Sequence, residues 1–197
     1  KLRGTDRDEE ALKNLLEIYQ QEKEWAKAVV IAQAMPNHSD HLWQKAIAEF
    51  SCEMAANEML HDRHDEANRL LEEALAANRK CVRATILLGD LAVKVGAVDT
   101  AIDYWKRIEQ QNPVYLALAA EKLMTAHIQL GRKEQGIQLL RGWLERHPSL
   151  DLLDAVFRSE LDNDGAEAAY ALVRDELRRN PTLLGLDKLL EAQILLA

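Results

Sequence analysis

The sequence predicts an all-α, right-handed superhelical solenoid of antiparallel helix pairs. Three observations point to it. The first is composition: among 197 residues there are only 8 Gly and 4 Pro, too few for a loop-rich β protein. Ala, Leu and Glu abound instead, and they lose little side-chain freedom on a helix. The second is a pattern of small residues and glycines that recurs at shifts of 33–35 residues, as stacked units that bury a face against one another require. The third is a proline closing successive units, at Pro113, Pro148 and Pro181. Proline cannot continue the helix before it and pre-organises the first turn of the next.

The elements follow in order. A first pair is expected over 8–21 and 24–35, marked by Tyr19, Ala28 and the run Glu24-Trp-Ala-Lys-Ala28. A second, over 41–60 and 65–77, carries Ala67 and Ala74, which lie 34 residues before Ala101 and Ile108. From Ala28 to Ala67 is 39 residues, one repeat plus five. The third pair, over 81–94 and 99–110, holds the fullest pattern: Thr85-Ile-Leu-Leu-Gly-Asp-Leu-Ala92, then Gly96, Ala101, Trp105, Ile108 and Pro113. The fourth, over 114–130 and 133–146, places Gly131, Leu140 and Pro148 35 residues after Gly96, Trp105 and Pro113. The fifth, over 150–161 and 165–178, has Ala169 and Pro181, and a lone helix starts at Thr182. The repeats therefore run over about 9–40, 48–80, 82–115, 117–148 and 150–181, with a final helix over 182–197, in one domain covering 1–197.

Each position has a physical task. Ala28, Ala67 and Ala101 let the two helices of a unit approach closely, where a larger side chain would force them apart. Gly96 and Gly131 supply left-handed backbone between helices. Trp105 and Trp143 fall where they face a neighbouring helix, which makes them core. Leu-Gly in the first helix, a Gly at the turn, then Ala, an aromatic and a closing Pro are the order of the tetratricopeptide repeat. The chain is identified as a member of that family.

Charge and chemistry narrow the function. The formal net charge is −8, and residues 149–197 carry ten acidic against five basic side chains. Nucleic acid needs clustered cations, and none are found, so nucleic acid is not an expected partner. No apolar run approaches the ~20 residues of a membrane span. Cys52 and Cys81 lie 29 residues apart with no C-x-x-C, as for unpaired buried thiols in a reducing compartment. His38 with His41 and His61 with His64 are i,i+3 pairs, but a closed metal site needs further ligands. The run Asp162-Asn-Asp-Gly165 lacks the twelfth-position Glu of a calcium loop and reads as a turn and helix N-cap. No nucleophile motif or phosphate-binding loop occurs. The expectation is no enzyme, no catalytic residue, no metal and no cofactor within these residues. With no initiator Met and an apolar helical pattern at the far end, the chain is expected to be a piece of a longer protein.

Protein partners are expected in a concave groove lined by the first helices. In tetratricopeptide arrays the groove positions are the second, fifth, ninth, twelfth and thirteenth of each repeat. Here they give Glu49, Cys52, Ala56, Met59 and Leu60, then Arg83, Ile86, Asp90, Val93 and Lys94, then Leu118, Glu121, Thr125, Ile128 and Gln129. The partner-binding candidates are Arg83, Ile86, Asp90, Lys94, Glu121 and Thr125. This mixed lining suits a protein or peptide better than a polyanion. A clamp for C-terminal carboxylates is not expected, because the ninth positions are Ala56 and Asp90 rather than Asn, and Asp90 repels a carboxylate. In the final helix, Leu183, Leu186, Leu190 and Ile194 are expected to face the fifth repeat. Leu184, Leu195 and Leu196 would fall partly off that stripe, as a patch for a further helix, a C-terminal module or a second copy.

Some stretches resemble a narrower group. Leu15-Leu-Glu-Ile-Tyr-Gln20 with Glu24-Trp-Ala-Lys-Ala-Val29, Ala48-Glu-Phe-Ser-Cys-Glu-Met-Ala55, and Asp164-Gly-Ala-Glu-Ala-Ala-Tyr170 with Arg178-Arg-Asn-Pro-Thr182 are similar to the cytoplasmic repeat region of the bacterial lipopolysaccharide assembly protein B family. That resemblance implies an adaptor on the cytoplasmic face of the inner membrane. It would restrain lipopolysaccharide synthesis by bringing the lipid A deacetylase to a membrane-bound AAA+ protease. It also implies a membrane helix and an iron- or zinc-binding rubredoxin-like module outside these residues. Two other classes stay open. One is the non-catalytic arm of an enzyme such as a glycosyltransferase, which would show asparagine ladders absent from the groove positions above. The other is a periplasmic or pilus-assembly repeat protein, which a signal peptide in the parent gene would support.

Overall fold

A computed structural model describes residues 6–197; Lys1–Thr5, the start of the domain expected over 1–197, lie outside them. All the elements among the described residues are helical. They gather into two compact units, Lys1–Arg107 and Ile108–Ala197.

The first unit holds α1 (Asp6–Gln21), α2 (Trp25–Ala34), α3 (His41–Leu60), α4 (His64–Ala77), α5 (Val82–Lys94) and α6 (Val98–Lys106). They form the three expected pairs α1–α2, α3–α4 and α5–α6, and α3 packs on both α2 and α5. Leu16, Ala28, Ala32, Met35 and Phe50 make one core, with Trp25 stacked on Phe50 at 5.9 Å between ring centres. A second core, around Cys52, Leu71, Cys81 and Leu88, lies between α3, α4 and α5.

The second unit holds α7 (Ile108–Gln111), α8 (Leu116–Gln129), α9 (Lys133–Arg146), α10 (Leu150–Arg179) and α11 (Leu183–Leu195). Three boundaries differ from expectation. The helix expected over 99–110 is interrupted at Arg107, whose N–H turns to Tyr104 O, three residues back, at 3.0 Å. The helix expected from residue 114 opens instead as a 3-10 turn over Pro113–Tyr115, because the Asn112 side chain accepts from the Val114 N–H. The fifth pair has no loop at all. Its helices join at Gly165, where φ is +85° and ψ −179°, a region open only to glycine. So Asp162-Asn-Asp-Gly165 is not a free turn that caps a new helix; the N-cap contact expected there is replaced by a one-residue kink. Ser149 and Thr182 do cap α10 and α11, accepting from Leu152 N–H and Gly185 N–H.

Backbone conformation reveals the repeat more clearly than residue identity. Positive φ occurs at Lys23, Asp62, Gly96, Gly131 and Gly165, which lie 39, 34, 35 and 34 residues apart. After each of the first four, the next N–H reaches back five residues to close the helix: Glu24 to Tyr19, Arg63 to Glu58, Ala97 to Ala92 and Arg132 to His127, at 2.8–3.0 Å. This is the Schellman closure of a helix end. Five residues after each of those four turns comes the small contact residue: Ala28, Ala67, Ala101 and Gly136. The three alanines have no exposed surface, and a Cβ on Gly136 would sit 2.9 Å from His127 Cβ. Trp105 and Trp143 are both core.

The final helix corrects the expected stripe. Leu183, Leu186, Leu190 and Ile194 face outward, Leu183 at 87% exposure, and the buried residues are Gly185 and Ala192. The cause is close approach to α10: a Cβ on Gly185 would lie 2.7 Å from Leu177 Cδ2. On the same inner face Lys188 pairs with Asp154 at 2.9 Å and lies over the Phe157 ring. Small residues and one cation therefore lie at the centre of the contact, Leu184 and Leu189 are half-buried beside it, and Leu183, Leu186, Leu190 and Ile194 stay in solvent.

Candidate protein-binding surfaces

In the first unit the candidate surface is the side of α3 and α5 away from the paired helices. Arg83, in the first turn of α5, sits between two carboxylates of α3, Glu53 at 2.8 Å and Glu49 at 3.4 Å. At the other end, Lys94 donates to the Met59 carbonyl at 2.9 Å and lies 3.4 Å from Asp62. It thereby adds a short bond to a carbonyl that, at the end of α3, otherwise accepts a long one of 3.4 Å from the Asp62 N–H. Ile86 and Asp90 lie half-buried between these cations, with Val93 and Leu60 exposed beside them. The structure thus brings Arg83, Ile86, Asp90 and Lys94 onto one face.

Two groove positions are corrected. Cys52 and Met59 are buried and do not line the surface. Cys52 turns into the core against Cys81, with Sγ atoms 3.9 Å apart. Glu53, one position further along α3, takes the place facing Arg83. Sequence reasoning missed it, although Glu49 and Arg83, 34 residues apart, already marked the adjoining turns of neighbouring repeats.

In the second unit Glu121 and Thr125 line a cavity of about 490 Å³ between α8 and the first half of α10. Leu118 and Ile128 supply exposed apolar surface there, and Asp151 and Asp162 face them from α10. Glu121, Asp151 and Asp162 form no ion pair among the described residues, whereas Asp154 is neutralised by Arg158 at 2.5 Å and by Lys188. Such a lining offers acceptors and apolar contact together, the chemistry of a peptide site rather than of an anion site. Behind it, Arg141 grips the buried Glu160 with two hydrogen bonds, at 2.5 and 2.9 Å, and so fixes α9 on α10.

Among the described residues no three His, Cys, Asp or Glu side chains gather where they could hold a metal. No helix among them is long and apolar enough to cross a membrane.

No family model matches the chain. Its sequence is 30% identical over 184 residues to lipopolysaccharide assembly protein B of Escherichia coli strain K12, covering 92% of this chain and 46% of that protein. It is 29% identical over 188 residues to lipopolysaccharide assembly protein B of Haemophilus influenzae, covering 94% of this chain and 47% of that protein. The chain spans about half the length of the curated relatives it matches. Among solved structures, the crystal structure of MamA superposes with a TM-score of 0.51 at 16% identity, over 88% of this chain and 93% of MamA, a likeness of fold alone. The chain has the helix-pair repeat of the tetratricopeptide fold, and its sequence resembles about half of lipopolysaccharide assembly protein B over nearly all of its own length.

Proposed function

We propose that these repeats are a non-enzymatic adaptor that restrains lipopolysaccharide synthesis by joining the lipid A deacetylase to a membrane AAA+ protease at the cytoplasmic face of a bacterial inner membrane. The observation that carries this reading is the likeness to lipopolysaccharide assembly protein B across 92% of the chain. The exposed, mixed-charge faces of α3–α5 and α8–α10 support it, because they offer contact surface without any assembled nucleophile or base. A rubredoxin-like iron or zinc module belongs to the same reading, but outside these residues. The described ones do not fit it, since among them no three His, Cys, Asp or Glu side chains gather to hold a metal.

On this reading Arg83, Ile86, Asp90, Lys94, Glu121 and Thr125 contact the partners. Arg83→Glu with Lys94→Glu is expected to weaken capture of at least one partner about tenfold or more while the helical CD signal is kept. Exposed ion pairs contribute only about 0–1 kcal/mol each, so the loss would come from binding and not from unfolding. Unchanged capture of both deacetylase and protease by this variant would remove the face from the function.

The outward leucines of α11 add a third surface, on which the same reading places a second copy of the chain. The isolated chain is expected to self-associate weakly in sedimentation runs over rising concentration, and a Leu186→Glu, Leu190→Glu variant to stay monomeric. A wild-type chain that is monomeric throughout would leave that face with no role in self-assembly.

A further inference from the structure

Cys52 and Cys81 are far apart in sequence, yet their Sγ atoms are in van der Waals contact at 3.9 Å. Cys52 comes from the middle of α3, and Cys81 is the residue on which α5 opens. Both thiols are buried, among Ala48, Ala55, Leu71 and Leu88. Their surroundings differ. Cys81 sits at the N-terminus of α5, where the Ala84 backbone N–H favours a thiolate. The Glu49 carboxylate, 3.8 Å from Cys81 Sγ, opposes it. The hydrogen bond from Cys52 holds the Cys81 thiol below its ordinary range, and the same bond together with burial pushes Cys52 up. Of the two thiols, Cys81 is therefore the more readily ionised.

We propose that Cys52 and Cys81 are a redox modification site that closes to a reversible intrachain disulfide when hydrogen peroxide reaches it, stapling α3 to the first turn of α5. The Cys81 thiolate attacks one peroxide oxygen, the O–O bond breaks, and the departing hydroxide takes up a proton as water. Cys81 is left as a sulfenic acid. Cys52 Sγ then attacks Cys81 Sγ, the S–O bond breaks, and the leaving hydroxide takes the Cys52 proton. In sum two thiols and one peroxide become one disulfide and two waters. The sulfurs lose two electrons and the peroxide gains them. Closure from 3.9 Å to a bond of about 2.05 Å asks for a side-chain rotation and a small approach of α3 and α5. The loop it closes contains all of α4, which already packs against both helices. A reversible thiol pair of this kind suits a compartment in which structural disulfides do not persist.

The test treats the folded chain with hydrogen peroxide, quenches with an alkylating reagent and maps the peptides by mass. The expected product has lost two hydrogens, resists alkylation at both cysteines and yields a 52–81 cross-linked peptide that dithiothreitol separates. Its melting temperature should rise by roughly 5–10 °C. Cys52→Ser should stop at a Cys81 sulfenic acid that dimedone captures, and Cys81→Ser should leave Cys52 unreacted, with CD confirming that both variants are folded. The proposal is overturned if the folded chain keeps both thiols at a peroxide dose that oxidises them once urea has unfolded it. It is equally overturned if the bonds formed link two chains.

Discussion

Trp143→Ala is expected to lower stability by about 3–5 kcal/mol, a large part of what holds a domain of this size together. Trp143 has no exposed surface, so truncation leaves a cavity in the core of the second unit that surrounding side chains fill only in part. It also removes a hydrogen bond, since the indole N–H donates to Glu109 at 3.0 Å. Trp143→Phe separates the two contributions: it keeps most of the ring and loses the bond, at a cost of about 1–2 kcal/mol. Urea titration of the three proteins would measure both steps, and a Trp143→Ala chain as stable as the wild type would place that side chain at the surface.

The same carboxylate makes the contact sensitive to pH. Burial pushes the Glu109 carboxyl up, but Arg146 at 2.8 Å, with Trp143 and His147, more than offsets this and holds it below the usual carboxylate range. A depressed folded value means that the stabilisation is complete above the unfolded pKa of about 4.3 and is lost as pH falls through the folded value. The penalty for Trp143→Phe should therefore shrink in acid.

The second large effect is steric and falls between α5 and α6. Gly89→Ala is expected to destabilise by about 1–3 kcal/mol, although alanine in a helix interior is favoured over glycine by about 1 kcal/mol. The added Cβ would meet the indole of Trp105, with Cε2 only 2.5 Å away. That ring cannot withdraw: it is buried, and its N–H donates to Ile86 O at 3.3 Å. Ala101→Leu, on the facing helix, carries a similar cost because Ala101 has no exposed surface. Thermal melts settle the sign; a stabilised Gly89→Ala would mean that the two helices do not meet at this register.

Residues whose identity follows from their task were readable in advance. Ala28, Ala67 and Ala101 had to be small, and Pro113 and Pro148 had to end helices, so the pairs and their period stand in the sequence itself. The left-handed turns at Lys23 and Asp62 were hidden, because there the Schellman hydrogen bonds hold an ordinary side chain in a conformation that glycine usually signals. Glu160 was unreadable for a different reason: a carboxylate on a helix looks solvated until Arg141, 19 residues earlier, is seen to cover it. The α11 face misled because hydrophobic patterning puts large leucines inward, whereas Gly185 and Ala192 gain more from close backbone approach. At the candidate surfaces, the period led to Arg83 and Lys94, whose cations lie at the two ends of the α3–α5 face. It placed Cys52 wrongly, because which way a mid-helix side chain turns is decided by its neighbours, and here the neighbour is Cys81.

The most direct measurement of the adaptor role is isothermal calorimetry of residues 1–197 against the purified lipid A deacetylase and the purified cytoplasmic portion of the AAA+ protease, each alone and then together. Binding of both at micromolar affinity or tighter, with the second partner still binding after the first is saturated, is the predicted result. A folded, helical chain that binds neither partner at tens of micromolar would contradict it.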